Sequence, residues 1–491
     1  MIERPGYILA TIVVYMGVCL LLGFVAWRRT KTLSDFILGG RSLGSWVTAF
    51  SAQATDMSGW LLMGLPGLAY ASGFDAVWMA GGLILGTWAN WRFVAQPLRV
   101  RTEQLNNALT LPDYFEYRFE DTRRLLRTIC ALFILIFFIF YTSSGFVASA
   151  RLFQTLFGMD YLPAMFWGSI VMLAYTFLGG FLAVSWSDVL QATLMFVALV
   201  LVGILGLSLA GGVSETFSAL AERSPDLLDP MIGDAGEALG LLGIASLVAW
   251  GLGYPGQPHI LARFMAIKSP GQMRTARRVA MTWVVIALTA AILVGLTAVL
   301  ALEPLRGPDT EKAFILMSTT YLHPLLAGIC LSGILAAVMS TASAQMLVAS
   351  SAFAQDIYRG LLRPNADPKE LLLIGRGAVL GIAVVAFWLA TDPESTVLDL
   401  VAWAWAGFGA AFGPAIVLSL YWPRMTRNGA LAGIIVGGVT VVLWQQGEGP
   451  LFELYEIIPG VGLSAVAIWL VSVLDRAEPP RTLSQQRVSS S

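Results

Sequence analysis

The chain has 491 residues, 57% of them hydrophobic and only 12% charged, with a formal net charge of −1. Soluble domains carry about 25% charged residues, so this composition indicates a polytopic membrane protein. The balanced charge gives no sign of nucleic-acid binding.

Apolar runs of about 20 residues can cross a bilayer as helices. In chain order they lie at 6–27, 43–70, 74–97, 128–157, 162–180, 188–211, 238–262, 278–301, 324–353, 371–391, 395–422, 428–446 and 456–475, thirteen predicted spans in all. The first has no cleavable signal pattern and is expected to remain as a helix. Cys19, Cys130 and Cys330 stand singly in such runs, without metal spacing or a disulfide framework.

Span 1 is followed by Arg28, Arg29, Lys31 and Arg41. Basic residues recur after span 3 (Arg99, Arg101, Arg118, Arg123, Arg124, Arg127), span 7 (Arg263, Lys268, Arg274, Arg277, Arg278), span 9 (Arg359, Arg363, Lys369) and span 11 (Arg424, Arg427). These alternate loops share one side, and the positive-inside rule makes it the cytoplasm. The N-terminus is then outside and the C-terminus inside. Loops 103–127 and 212–237 each have room for a short surface helix. The tail after Asp475 is too short for a fused domain, and no phosphate-binding loop marks an ATP-driven pump.

Span 2 contains SAQATDMSGW (51–60), with Gln53, Thr55, Asp56 and Ser58 inside an otherwise apolar run. A carboxylate at bilayer depth costs roughly 2.5–3.5 kcal/mol even on insertion scales. Such a residue faces a protein interior or watery cavity and marks an ion or substrate path.

Span 7 contains WGLGYPGQPHILARF (250–264), with Gly251, Gly253, Pro255, Gly256 and Pro258 close together. Proline removes an amide donor and clashes with the preceding turn, so a break is expected here; the alternative is a kinked structural helix. Non-helical backbone survives at this depth only where protein or a cavity covers it. Spans 2 and 7 are five apart and run in opposite directions. Paired interrupted spans in two inverted halves point to the central site of a secondary transporter. The expected fold is all-α, with spans 2–6 and 7–11 as two inverted five-helix repeats. The expected units are 1–42 (span 1 and linker), 43–211, 238–422, 428–475 (peripheral spans 12 and 13) and the tail 476–491, all within one transmembrane domain.

In span 9, Ala337, Ser340 and Thr341 fall at i, i+3 and i+4, on one helical face. Two hydroxyls and a carbonyl there, with carbonyls near Ala54 and Met57, could form an oxygen cage suited to a hard monovalent cation. Small residues on one face equally suit helix packing in a membrane. His259 and His323, the only histidines, have no metal partner in sequence and are assigned no chemistry.

The stretches DFILGGRSLG (35–44), SAQATDMSGW (51–60), FLGGFLAVSWSDVLQA (177–192), WGLGYPGQPHILARFMA (250–266) and AAVMSTASAQMLV (336–348) resemble the solute:sodium symporter family, most closely its bacterial sodium/proline members. The resemblance implies the same inverted-repeat transporter fold. It places the sodium site on the backbone carbonyls of Ala54, Met57 and Ala337 and the hydroxyls of Ser340 and Thr341. Asp56 matches the family's span-2 aspartate, linked to sodium or to the shape of the break. Ser58, Gly59, Tyr141, Trp250, Tyr254 and Pro258 match the substrate side. Arg41 and Asp188 match further family positions near the inner side. Pro255 departs from the pattern, where a bulkier residue is usual, as do Ser187 and Ala344.

Residue by residue, plainer readings stand alongside. Arg41 could be only a topology anchor, Asp188 could cap span 6, and Tyr141 and Trp250 could be ordinary amphipathic aromatics. The expectation is a non-enzymatic, sodium-coupled L-proline symporter in the bacterial inner membrane. Its partners would be proline, co-transported sodium and membrane lipid, with no nucleic acid and no obligate protein partner. The alternatives are a sodium symporter for another solute, such as pantothenate or another amino acid, and a channel or substrate sensor.

Overall fold

Backbone buried in lipid must satisfy its own hydrogen bonds, so the apolar runs form helices. The computed structural model describes residues 5–28, 37–176, 180–233 and 236–475. Arg29, Lys31 and Asp234, residues 35–36 and 177–179 of the matching stretches, and the tail from 476 lie outside the described residues.

The helices are α1 (Pro5–Trp27), α2 (Ser45–Asp56), α3 (Trp60–Ala71), α4 (Ala76–Ala89), α5 (Ala95–Gln104), α6 (Leu111–Arg118), α7 (Leu125–Phe157), α8 (Tyr161–Thr176), α9 (Phe181–Leu209), α10 (Val213–Arg223), α11 (Gly240–Val248), α12 (Pro258–Ala266), α13 (Met273–Ala301), α14 (Ala313–Tyr321), α15 (Pro324–Ser351), α16 (Pro368–Leu389), α17 (Val397–Tyr421), α18 (Arg427–Trp444) and α19 (Ile457–Leu474). Every predicted span has a helical counterpart. Span 2 is α2 with α3, span 3 is α4 with α5, and span 7 is α11 with α12. The two roomy loops hold α6 and α10, as their length allowed. Local chemistry fixes several ends. Thr110, Thr396 and Thr426 accept backbone N–H bonds as N-caps, and Gly158 ends α7 at φ 63°, where a side chain would be strained.

Alternation of loops between two sides is visible in the contacts. On one side, Arg41 bonds Ala108 and Met265, Arg124 bonds Gly360, and Arg427 pairs with Asp121. These join the loops after spans 1, 3, 7, 9 and 11. On the other side, Trp78 bonds Pro230, Arg151 bonds Pro393, Glu311 bonds Val397 and Leu398, and Tyr455 bonds Ser246. The basic loops therefore do share one face.

Helices α15 and α17 are the most enclosed of the long helices, while α1 and α19 are largely exposed. The interior is thus built around α15, α17 and the two interrupted spans, and the exposed flanks are apolar, as lipid contact requires.

Candidate functional site

Span 2 breaks where the sequence turns polar. Helix α2 ends at Asp56, and Met57 leaves the helical region with φ −87° and ψ 76°. The amide of Leu61 then bonds the Ser58 carbonyl at 3.1 Å instead of the Met57 carbonyl four residues back. The Asp56 carbonyl accepts from Trp60 Nε1 at 3.2 Å and Tyr141 Oη at 3.5 Å. The Asp56 carboxylate is 1% exposed, makes no hydrogen bond within 3.5 Å among the described residues, and has the Tyr254 hydroxyl as a polar neighbour. A buried carboxylate with no cation beside it is costly.

Span 7 breaks over a longer stretch. Helix α11 runs into a 3-10 segment, Ala249–Gly256, then Gln257 is extended at φ −82°, ψ 105°, and α12 starts at Pro258. The kinked-helix alternative is thereby replaced by a full interruption. The carbonyls of the segment are met by side chains. Trp405 Nε1 donates to Trp250 at 2.7 Å, Gln257 Nε2 to Gly253 at 3.1 Å, and Asn90 Nδ2 to Tyr254 at 3.1 Å. A Cβ on Gly253 would strike the Trp405 ring, and one on Gly256 the backbone of Phe408. These glycines are required for close approach.

The oxygen face of α15 meets the end of α2. Ser340 Oγ donates to the Ala54 carbonyl at 2.7 Å and lies 3.0 Å from the Ala337 carbonyl, and Thr341 Oγ1 donates to Ala54 at 3.4 Å. Ala54, Ala337 and Ser340 are fully buried, and Thr341 is 3% exposed. Four of the five predicted ion ligands converge on one point, with Met57 three residues beyond Ala54 at the break. Neutral oxygens of this kind suit a hard monovalent cation.

The aromatic residues stand next to it. Trp60 faces Trp250 with ring centroids 6.4 Å apart, Trp250 stacks on Tyr455 at 5.5 Å, and Tyr254 meets Trp405 edge-on at 4.9 Å. Tyr141 and Tyr254 are both electrostatic neighbours of Asp56. Pro258 lines a small cavity of about 30 Å³ with Ala262, Met265, Leu109, Pro112 and Ser351. Ser58 is buried beside Tyr141. Gly59 lies against Ala148 and Val338, so its lack of a side chain serves helix contact at the break.

Arg41 and Asp188 are not at this centre. Arg41, at φ 52°, donates to Asn107 Oδ1 (2.7 Å), Thr102 Oγ1 (3.3 Å), Met265 O (2.6 Å) and Ala108 O (2.8 Å). Burial first, then the nearby Arg99 guanidinium, lowers its pKa to about 10. It is a knot between three loops rather than an exposed topology anchor. Asp188 does not cap a helix end. It sits inside α9, fully buried, accepting from Ser51 Oγ at 2.6 Å and pairing with Arg263 at 3.4 Å. Arg263, read from sequence as part of a basic loop, is fully buried within α12.

Sequence reasoning missed Trp60, Asn90, Gln257, Trp405 and Arg263. Trp60 and Gln257 bond carbonyls four residues away but also meet Trp250 and Trp405 across the fold, and Asn90, Trp405 and Arg263 act through partners far away in the chain; only the polarity of Asn90 and Gln257 in apolar surroundings was there to flag them.

The signature of the Sodium:solute symporter family matches residues 36–437. The chain is 50% identical over 485 residues to a sodium/proline symporter of Salmonella typhimurium, covering 98% of this chain and 95% of the relative. It is 50% identical over 485 residues, with the same coverage, to one of Escherichia coli. It is 47% identical over 470 residues to a high-affinity proline transporter of Bacillus subtilis, covering 95% of this chain and 98% of the relative. Among solved structures, a Na+-coupled sialic acid symporter in a substrate-bound outward-open state matches with TM-score 0.80 at 20% identity, over 97% of this chain and 99% of that one. A nucleobase-cation-symport-1 family transporter in a closed conformation matches with TM-score 0.57 at 14% identity, over 94% and 99%. These two likenesses bear on the fold alone.

Proposed function

The chain belongs to the sodium:solute symporter family, and from that premise we propose that it imports L-proline together with sodium by alternating access. The observation that carries this reading is the convergence of the Ser340 and Thr341 hydroxyls on the Ala54 carbonyl, with the Ala337 carbonyl 3.0 Å from Ser340 Oγ, beside the aromatic groups at the paired breaks. The named function of the relatives supports proline as the solute. The protein is a multi-pass membrane transporter, not an enzyme.

In this reading sodium is a substrate. It binds the carbonyl oxygens of Ala54, Met57 and Ala337 and the hydroxyl oxygens of Ser340 and Thr341, turning the Ser340 hydroxyl away from its bond to Ala54. That fixes the end of α2 and so the start of α3. Asp56 favours the cation electrostatically. Ser58, Gly59, Tyr141, Trp250, Tyr254 and Pro258 form the proline side, where aromatic faces cover the ring. The Asp188–Arg263 pair and the Arg41 knot hold the inner halves of spans 2, 6 and 7 in register. Residues 43–211 and 238–422 form the two repeats, and 1–42 and 428–475 lie outside them. The basic face is cytoplasmic, with the N-terminus outside, in a bacterial inner membrane.

Binding coupling is reciprocal: sodium tightens proline and proline tightens sodium by the same factor. Equilibrium binding of labelled proline to the purified protein, titrated across sodium concentrations, tests this. Proline affinity should rise with sodium and not with potassium. Sodium-independent proline binding would count against the shared site.

A further inference from the structure

We infer that His259 holds the carboxylate of the transported solute, an inference that rests on the proline reading above. His259 is the second residue of α12, immediately after Pro258 at the break. It is fully buried, and neither ring nitrogen has a hydrogen-bond partner among the described residues. A buried polar group without a partner is costly, and native proteins seldom leave one unless a ligand or water meets it.

The ring is held in place by its apolar neighbours. Tyr141 meets it edge-on at 89° with centroids 5.9 Å apart, and Phe138 at 65° and 5.6 Å. Its backbone carbonyl accepts from Arg263 Nη1 at 3.0 Å. Ring and main chain are thus fixed while both nitrogens stay free. A neutral imidazole offers one donor and one acceptor.

Chemistry then divides the solute between the buried polar groups. Among those around the break are the Asp56 carboxylate, the Tyr254 hydroxyl beside it and Ser58 Oγ. Asp56 is the anion, and Tyr254 is its electrostatic neighbour. The ammonium of an imino acid is drawn to that side and its carboxylate is repelled from it. The Arg263 guanidinium is engaged by Asp188 and Ser51. The Tyr254 hydroxyl stands beside the Asp56 anion, whereas the N–H of His259, at the positive end of α12, is a donor open to the carboxylate. His259 therefore sets the requirement for an acidic group on the solute, as a contact and not only as packing.

The test compares L-proline with L-prolinamide, which keeps the ring and amine but lacks the charged oxygen pair. Both compete for labelled proline on the purified full-length protein, in wild type, His259→Gln and His259→Phe. Wild type should prefer proline strongly. His259→Phe should weaken proline by roughly ten- to hundredfold, the scale of a lost bond to a charged group, while prolinamide changes less than about threefold on the same scale. His259→Gln, which keeps an N–H donor, should recover part of the preference. Sodium affinity measured without solute should be unchanged in all three. If proline and prolinamide weaken equally, or proline affinity survives in His259→Phe, His259 is only packing and the inference is overturned. Should the Phe variant not fold, the proline-to-prolinamide ratio in His259→Asn decides between the same two outcomes. Wild type that binds no proline would overturn the proline reading itself, and this inference with it.

Discussion

The Ser340 hydroxyl donates to the Ala54 carbonyl at 2.7 Å, across 286 residues of chain. This bond ties the unbroken α15 to the last turn of α2. Removing it together with the Thr341 hydroxyl takes two oxygens from the proposed ion shell. Ser340→Ala with Thr341→Ala should raise the sodium needed for half-maximal uptake by at least roughly tenfold, on the scale of lost bonds to a charged group. Asp56→Asn, which keeps the shape and removes the charge, should shift it in the same direction. Uptake assayed across sodium concentrations at saturating proline checks both. An unchanged sodium requirement would remove the site from this position.

Trp405 supports the substrate side from behind, through its bond to the Trp250 carbonyl. Trp405→Phe keeps an aromatic ring but removes that bond, a loss of roughly 0.5–1.5 kcal/mol. Proline half-saturation should rise several-fold, with the sodium requirement moving less. Equal shifts in both would show that the aromatic group and the ion site are not separable through Trp405.

Asp188 and Arg263 are both fully buried. Removing one partner of a buried pair leaves the other uncompensated and costs roughly 3–5 kcal/mol. Asp188→Asn and Arg263→Gln should each lower the unfolding temperature markedly, and the double variant should be more stable than the sum of the two predicts. Thermal unfolding of the four proteins in one detergent gives the coupling directly; additive losses would mean the pair contributes no mutual stabilisation.

Glu311 lies outside the spanning helices and accepts from the amides of Val397 and Leu398 at 2.9 and 3.0 Å. Burial lifts its pKa from 4.5 to about 7, against the pull of those two amides. The native state therefore holds this proton more tightly than the unfolded chain. The stabilisation is complete below pH 4.5 and is lost as pH climbs through about 7. Between pH 5 and pH 8 the unfolding temperature of wild type should fall relative to that of Glu311→Gln. Parallel pH profiles would contradict the shifted carboxyl.

The parts legible in sequence were those whose chemistry conflicts with a lipid-embedded helix. Asp56 within an apolar run, and Gly251, Pro255 and Pro258 within a few residues, announce their breaks locally. Ala337, Ser340 and Thr341 share a face because helical spacing puts them there. Alternating basic loops grouped the chain into two sides, and Arg41, Arg124 and Arg427 join loops of one group.

What sequence hid were pairings set by packing. Nothing local indicates that Trp405 meets Trp250 or that Asn90 meets Tyr254. Arg263 looked like one more loop charge because its buried partners, Ser51 and Asp188, come from two other helices. A lone histidine carries no pattern at all, so the two unpartnered nitrogens of His259 emerge only from the folded chain.

Sodium-coupled proline import is tested by uptake of labelled L-proline into proteoliposomes holding the purified protein. Inward gradients of sodium, potassium or protons are imposed in parallel, with and without excess unlabelled proline. Concentrative uptake is expected with the sodium gradient alone, blocked by the unlabelled solute. Uptake driven equally by a proton gradient would contradict the sodium assignment and turn attention to Asp56 as a proton carrier.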